Sequence, residues 1–425
     1  DVNLAYKDDK FTAQLLSAYL SSDSFSALAP RSAEADAYTN KNYNLKLGYM
    51  FDENNQLSLS YNRIKTETEY DSTYPTLNPN DSETSSDSDQ TNIALTYTFH
   101  LENYTATLNA SQGQYERGYP YGKYEADLKE YSLINAYKYN NGKVILGLEY
   151  KDIDGNPGEA YTNKAIFLSN VYNINEHTLL ESNLRYDDFN NFTNKTTYKL
   201  GIKHSPDLFD DLTVTANYST AYDAPSAYQI ANVATALGTT QLKPAFTKGY
   251  DLSIEYKKLL KLTYFNNKVE DSFDYYSDWD QDYLDGDGYY NAPGTSKFSG
   301  LEVESILPLN EIFTLTTNYT HLIKYEKDDG LKFDKRAKDT LNLMLNAYTD
   351  NKTYYGINAH YIGDRKEFGN STGNYTLWNL NFGTNIMEDV DVSIHAKNIF
   401  DKDYQSVYGY ATEGRSFYAN LKYSF

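Results

Sequence analysis

The chain has 425 residues and no Cys, with 38 Lys and Arg against 59 Asp and Glu, a net charge of −21. These figures exclude disulfides, thiol nucleophiles and zinc–thiolate sites. They also argue against nucleic acid, whose phosphates need a basic face. No run of 18 apolar residues occurs, which excludes a transmembrane helix but not a transmembrane barrel, whose strands are only about half apolar.

In chain order, the first element, "DVNLAYKD", reads as a strand running into a short turn at 8–10. Strict apolar–polar alternation then recurs, the side-chain period of a strand with two unlike faces. One face takes Tyr43, Leu45, Leu47, Tyr49 and Phe51, then Leu57, Leu59 and Tyr61, then Ile93, Leu95, Tyr97 and Phe99. Further on it takes Leu212, Val214, Ala216 and Tyr218, and at the end Phe417, Ala419, Leu421, Tyr423 and Phe425. Several sets finish on an aromatic residue, where the girdle of a membrane barrel meets the headgroups.

The connections alternate in length. Short ones fall at 51–54, 140–142, 173–177, 256–258, 308–311, 349–352 and 387–389. Long ones fall at 22–41, 70–89, 221–246, 273–291, 326–334, 364–374 and 400–416. Tight turns on one rim and long loops on the other predict an outer-membrane barrel. A propeller would show a blade repeat of roughly 40–45 residues, and none is found. The expected fold is all-β, a transmembrane antiparallel β-barrel spanning 1–425 with about 21 strands. First and last strands would run the same way, so one strand is expected before Asp1, giving about 22 and an even number. A lumen of that size is normally plugged.

The C-terminal "NIFDKDYQSVYGYATEGRSFYANLKYSF" (398–425) resembles that of TonB-dependent outer-membrane receptors, closest to the cobalamin branch. "STAYDAPSAYQI…LKPAFTKGYDLSIEY" (219–256) and "YYNAPGTSKFSGLEVES" (289–305) are similar to family segments in the same order. Ala245 stands where the family commonly has Glu. The resemblance implies a 22-stranded barrel with an N-terminal plug, the plug and first strand being absent here. It implies active transport of a large, scarce nutrient, cobalamin or another corrinoid, energised by the TonB system. A ferric-siderophore receptor is the alternative and an open porin-like channel a second. It also implies that the terminal aromatics Phe425 and Tyr423 are an assembly signal read by the barrel assembly machinery.

Of the six His, none has the spacing of a nucleophilic or zinc site, so no enzyme is expected. By the resemblance, a haem receptor would carry an iron-ligating His in the loop after the "AP" element; loop 223–247 holds none, which counts against haem as cargo. The acidic loop 66–89 and its neighbour "YERGYPYGKYEAD" offer carboxylates for calcium, which takes six to eight oxygen ligands. By the resemblance the calcium candidates are Asp71, Asp81, Glu125 and Asp127; a solvated acidic face toward lipopolysaccharide is the plainer reading. The loop "SDWDQDYLDGDGYYN" has no EF-hand spacing, but its Trp279, Tyr283, Tyr289 and Tyr290 could meet a large planar ligand.

Overall fold

In the computed structural model, 21 strands form one antiparallel sheet. The structure describes all residues except 72–83, 121, 208, 210, 278–285, 350–351, 368 and 425. The sheet starts at Val2–Lys7 and Phe11–Ser22, and every strand pairs antiparallel with the next, ending at Val390–Lys397 and Ser416–Tyr423. The short turns have local causes. Asp8 Oδ1 accepts from the amides of Lys10 (2.8 Å) and Phe11 (2.7 Å), and Asn310 Oδ1 from those of Ile312 (2.9 Å) and Phe313 (2.8 Å). Such side-chain to backbone bonds mimic a backbone turn.

The expected asymmetry between rims is present, with one correction. Three connections on the long-loop rim are themselves short: 120–121, 157–160 and 190–194. The stretch 116–127, read as a loop from sequence, is instead paired, Tyr119 opposite Gly122 and Glu116 opposite Glu125. The pairing continues the ladders of the flanking strands up to the corner, and Pro120 is confined to that corner, where no ladder donor is needed.

Two faces are distinct along each strand. In Ala245–Tyr256, Tyr250 (47%), Leu252 (47%), Ile254 (45%) and Tyr256 (47%) are exposed, while the intervening Ser253 is 7% exposed. Register carries the apolar face across neighbours: Leu252 is opposite both Ala216 and Tyr264. The other face holds polar ladders such as Asn342–His360 and Asn358–Asn379. Apolar groups on the outside and polar groups inside is the reverse of a soluble core and the pattern of a lipid-facing wall.

The two ends of the sheet come together through their loops. Ala29 N donates to Gly409 O and Ala411 N to Ala27 O, both at 2.9 Å, with Leu28 bridged to Tyr410. Arg31 lies 3.5 Å from Asp401. Loop 23–37 is thus sewn to loop 398–415, which curls the sheet round a lumen. Among the described residues, Val2–Lys7 and Ser416–Tyr423 each have one neighbouring strand, and they run in the same direction.

Candidate functional site

The long-loop rim carries two built features. The first is acidic. Glu34 and Asp36 come from loop 23–37 and Asp71 follows the strand Asn55–Glu69; their carboxylate oxygens lie within 4.8 Å of one another. Asp36 is 5% and Asp71 3% exposed. Asp71 Oδ2 accepts from Leu28 N (2.6 Å) and Ser26 Oγ (3.1 Å), and Asp36 Oδ2 from Ala27 N. Beside them Glu69 Oε2 accepts from Ala37 N at 2.7 Å, and Ala37 O from Glu69 N at 2.9 Å. Each buried carboxylate therefore spends one oxygen on the backbone of loop 23–37. The other oxygens, Asp36 Oδ1 and Asp71 Oδ1, are buried without a hydrogen-bond partner among the described residues. Burial, reinforced by the charges of Asp71 and Glu69, raises the Asp36 pKa despite the Ala27 amide. Buried carboxylates with orphaned oxygens are costly unless something positive completes them.

Of the four residues singled out from sequence, Asp71 is in this cluster and Asp81 lies outside the described residues. Glu125 and Asp127 are elsewhere, on the paired strand Gly122–Tyr139. Glu125 shares Lys123 with Glu116, at 2.7 Å each. Sequence reading missed Glu34 and Asp36. Their stretch, "RSAEADAY", resembles any solvated loop, and only the fold brings it over Asp71.

The second feature is a chain of tyrosines linking three rim elements. Tyr115–Tyr124 (6.1 Å between ring centres), Tyr124–Tyr228 (5.2 Å), Tyr228–Tyr289 (6.2 Å) and Tyr289–Tyr275 (5.2 Å) are successive contacts. Tyr228 sits on a short helix, Ala227–Ala231, opened by a capping box between Ser226 and Gln229. The helix can seat on the wall because position 155 is Gly: a Cβ there would lie 2.6 Å from the Ala227 Cβ. Backbone bonds at 2.8 Å from Ala234 N to Tyr289 O and from Tyr289 N to Asn232 O tie this loop to the hairpin Phe273–Tyr276/Gly288–Asn291. Of the aromatic candidates, Tyr289 is therefore in the chain. Tyr290 instead donates to Asp274 at 2.9 Å, a carboxylate also bound by Lys327. Trp279 and Tyr283 lie outside the described residues.

Two cavities flank these features. One of about 340 Å³ is lined by Tyr115, Tyr124, Tyr161, Gln90, Asn92 and Ser226. A larger one of about 840 Å³ lies between loops 23–37 and 398–415, against Pro30, Arg31, Tyr404, Gln405 and Tyr410. The acidic cluster holds the loop that walls this larger cavity. Tyr423 is exposed at the other end of the last strand, and Phe425 lies outside the described residues.

Comparison with known proteins fits this geometry. The chain is 24% identical over 367 residues to a vitamin B12 transporter of Vibrio vulnificus, covering 80% of this chain but 58% of that protein. It thus spans rather more than half the length of that relative. Its fold matches the ferric enterobactin receptor of Pseudomonas aeruginosa (TM-score 0.81, 17% identity, 98% of this chain and 76% of that one). It matches the siderophore receptor PirA of Acinetobacter baumannii equally (TM-score 0.81, 16% identity, 98% and 76%). Residues 2–399 match the family described as TonB dependent receptor-like, beta-barrel. The chain therefore belongs to the TonB-dependent receptor β-barrels, a family of the bacterial outer membrane.

Proposed function

We propose that this chain is the barrel and outer-loop portion of a receptor that captures a large, scarce cargo at the cell surface and passes it through the lumen. Cobalamin or a related corrinoid is the favoured cargo. The observation that carries this reading is the tyrosine chain from Tyr115 to Tyr275, which brings together wide, rigid, amphipathic rings from three rim elements. Such rings suit a large ligand with apolar faces and polar edges. The sequence relationship to a vitamin B12 transporter supports the same cargo. Energy would come from the TonB system acting on a plug inside the lumen. In this reading the terminal aromatics serve insertion by the barrel assembly machinery.

The acidic cluster belongs to the same reading. Its donors are all oxygens and two are buried and orphaned, which fits a hard divalent cation such as calcium. Glu34, Asp36 and Asp71 would hold the ion. Its charge would offset their repulsion and fix loop 23–37 against loop 398–415. A ferric siderophore is the second reading, favoured by the fold match to siderophore receptors. An open pore fits less well, since the loop carrying Tyr228 is tied both to the wall at Tyr124 and to the hairpin at Tyr289. Growth of a cobalamin-requiring host that lacks its own receptor tests the proposal. Rescue by the full-length receptor at nanomolar cobalamin is expected; rescue of iron-starved growth alone would reassign the cargo.

A further inference from the structure

The apolar outer wall carries a second polar feature, independent of the cargo. Lys248 is opposite Lys268, and Lys268 is opposite Lys297, on three adjacent strands. Directly opposed residues share a face with Cβ atoms about 5 Å apart, and like charges there repel. The face is the outer one: Lys248 continues the exposed series Tyr250, Leu252, Ile254 and Tyr256. Immediately below the row lies a band of tyrosines, with Tyr198–Tyr218 at 5.9 Å, Tyr250–Tyr264 at 6.1 Å and Tyr218 opposite Tyr250. The row is on the long-loop side of that band: Lys248 follows the connection 224–244, and Lys268 and Lys297 flank 271–294.

Elsewhere at this level cations are matched by acids. Arg63 and Lys65 share Asp89, at 2.6 and 3.2 Å. Here the acids are fewer. Glu270 accepts from Lys248 at 2.8 Å and Glu326 stands opposite Lys297. Among the described residues, Lys268 and Lys297 have no ion pair. A fourth cation, Lys195, lies over the Phe246 ring at 3.7 Å, and Lys248 over the same ring at 5.2 Å. Lys268, opposite a lysine on each side and without an ion pair among the described residues, concentrates positive charge on this face of a chain of net charge −21, and an outside anion would offset it. Their height, just above an aromatic band, is where lipid headgroups sit.

We propose that the row Lys248, Lys268 and Lys297 docks a phosphate of the outer-leaflet glycolipid, the bis-phosphorylated lipid A headgroup, while Tyr250 and Tyr264 pack against its sugar and proximal acyl chains. The full-length receptor would be placed in phosphatidylcholine nanodiscs doped with lipid A, with phosphate-free lipid A, or with phosphatidylglycerol. Retained lipid would be counted by native mass spectrometry across a salt series. Lipid A should be retained preferentially, with a steep loss as salt rises. Lys268→Gln/Lys297→Gln should weaken retention about 25-fold, roughly fivefold for each lysine. The double Lys→Arg variant should hold the lipid, and Lys129→Gln, on another part of the wall, should leave retention unchanged. Equal retention of phosphate-free lipid A, equal retention of phosphatidylglycerol, or an unaltered double Gln variant would each overturn the proposal. Should the Gln variant fail to fold, as read by heat-modified gel mobility, a salt-insensitive wild type would overturn it equally.

Discussion

Replacing Asp36 by Asn tests the acidic cluster most sharply, because it preserves shape and removes one charge. With carboxylate oxygens no more than 4.8 Å apart, each ionised pair repels by about 3.5 kcal/mol at an effective dielectric of 20. Asp36→Asn removes two of the three repulsions, so loop 23–37 should be better protected without cation than in the wild type. The gain from cation should shrink in parallel. At calcium a hundredfold above its dissociation constant the wild-type loop gains about 2.7 kcal/mol. That is a roughly hundredfold slowing of amide exchange, provided exchange proceeds by opening of this loop. The amides to follow are Ala27 and Leu28, which donate to Asp36 and Asp71, and Ala29 and Ala411, which sew the two loops together. Exchange with calcium and with chelator reads both effects. An Asp36→Asn protein whose exchange slows a hundredfold with calcium, as in the wild type, would refute the site.

Other consequences are as direct. Since burial raises the Asp36 pKa, the folded loop holds that proton more tightly than the unfolded chain. In the absence of cation, its contribution to loop stability is therefore full below the ordinary carboxylate range and lost as pH rises through the raised value. Calcium must displace the proton, so its affinity should fall as pH drops from 7 toward 5, and titration calorimetry at several pH values should show proton release. Gly155→Val should push the helix Ala227–Ala231 off the wall and displace Tyr228, weakening cargo binding at least tenfold while leaving heat-modified mobility intact. Leu252→Lys, on the outer apolar face, should cost about 2–4 kcal/mol in lipid-vesicle folding titrations, whereas Ser253→Lys, on the lumen face, should cost far less. A larger cost for Ser253→Lys would mean that the faces are assigned the wrong way round, and equal costs that they are not distinct.

The fold was largely legible because a barrel wall writes its two faces into consecutive residues. Sets such as Tyr43, Leu45, Leu47 and Tyr49 are local, and the register keeps them on one face: Leu45 is opposite Tyr61 and Leu47 opposite Leu59. The rim was less legible. Between Glu116 and Asp127, polar and charged residues hid a hairpin that only cross-strand pairing with 85–100 and 142–156 supports. The acidic site was half legible: Asp71 stood out, but its partners Glu34 and Asp36 lie far upstream and meet it only through the loop geometry. The helix carrying Tyr228 is five residues long and depends on Gly155 beneath it, a dependence no periodicity records.

The central claim is that the rim binds a corrinoid and that a cation organises the rim for it. Equilibrium binding of radiolabelled cyanocobalamin to outer membranes carrying the full-length receptor, in calcium and in chelator, tests both parts at once. Saturable binding that is at least tenfold tighter in calcium is the expected result. Absence of cobalamin binding from membranes that still bind a ferric siderophore would contradict the account.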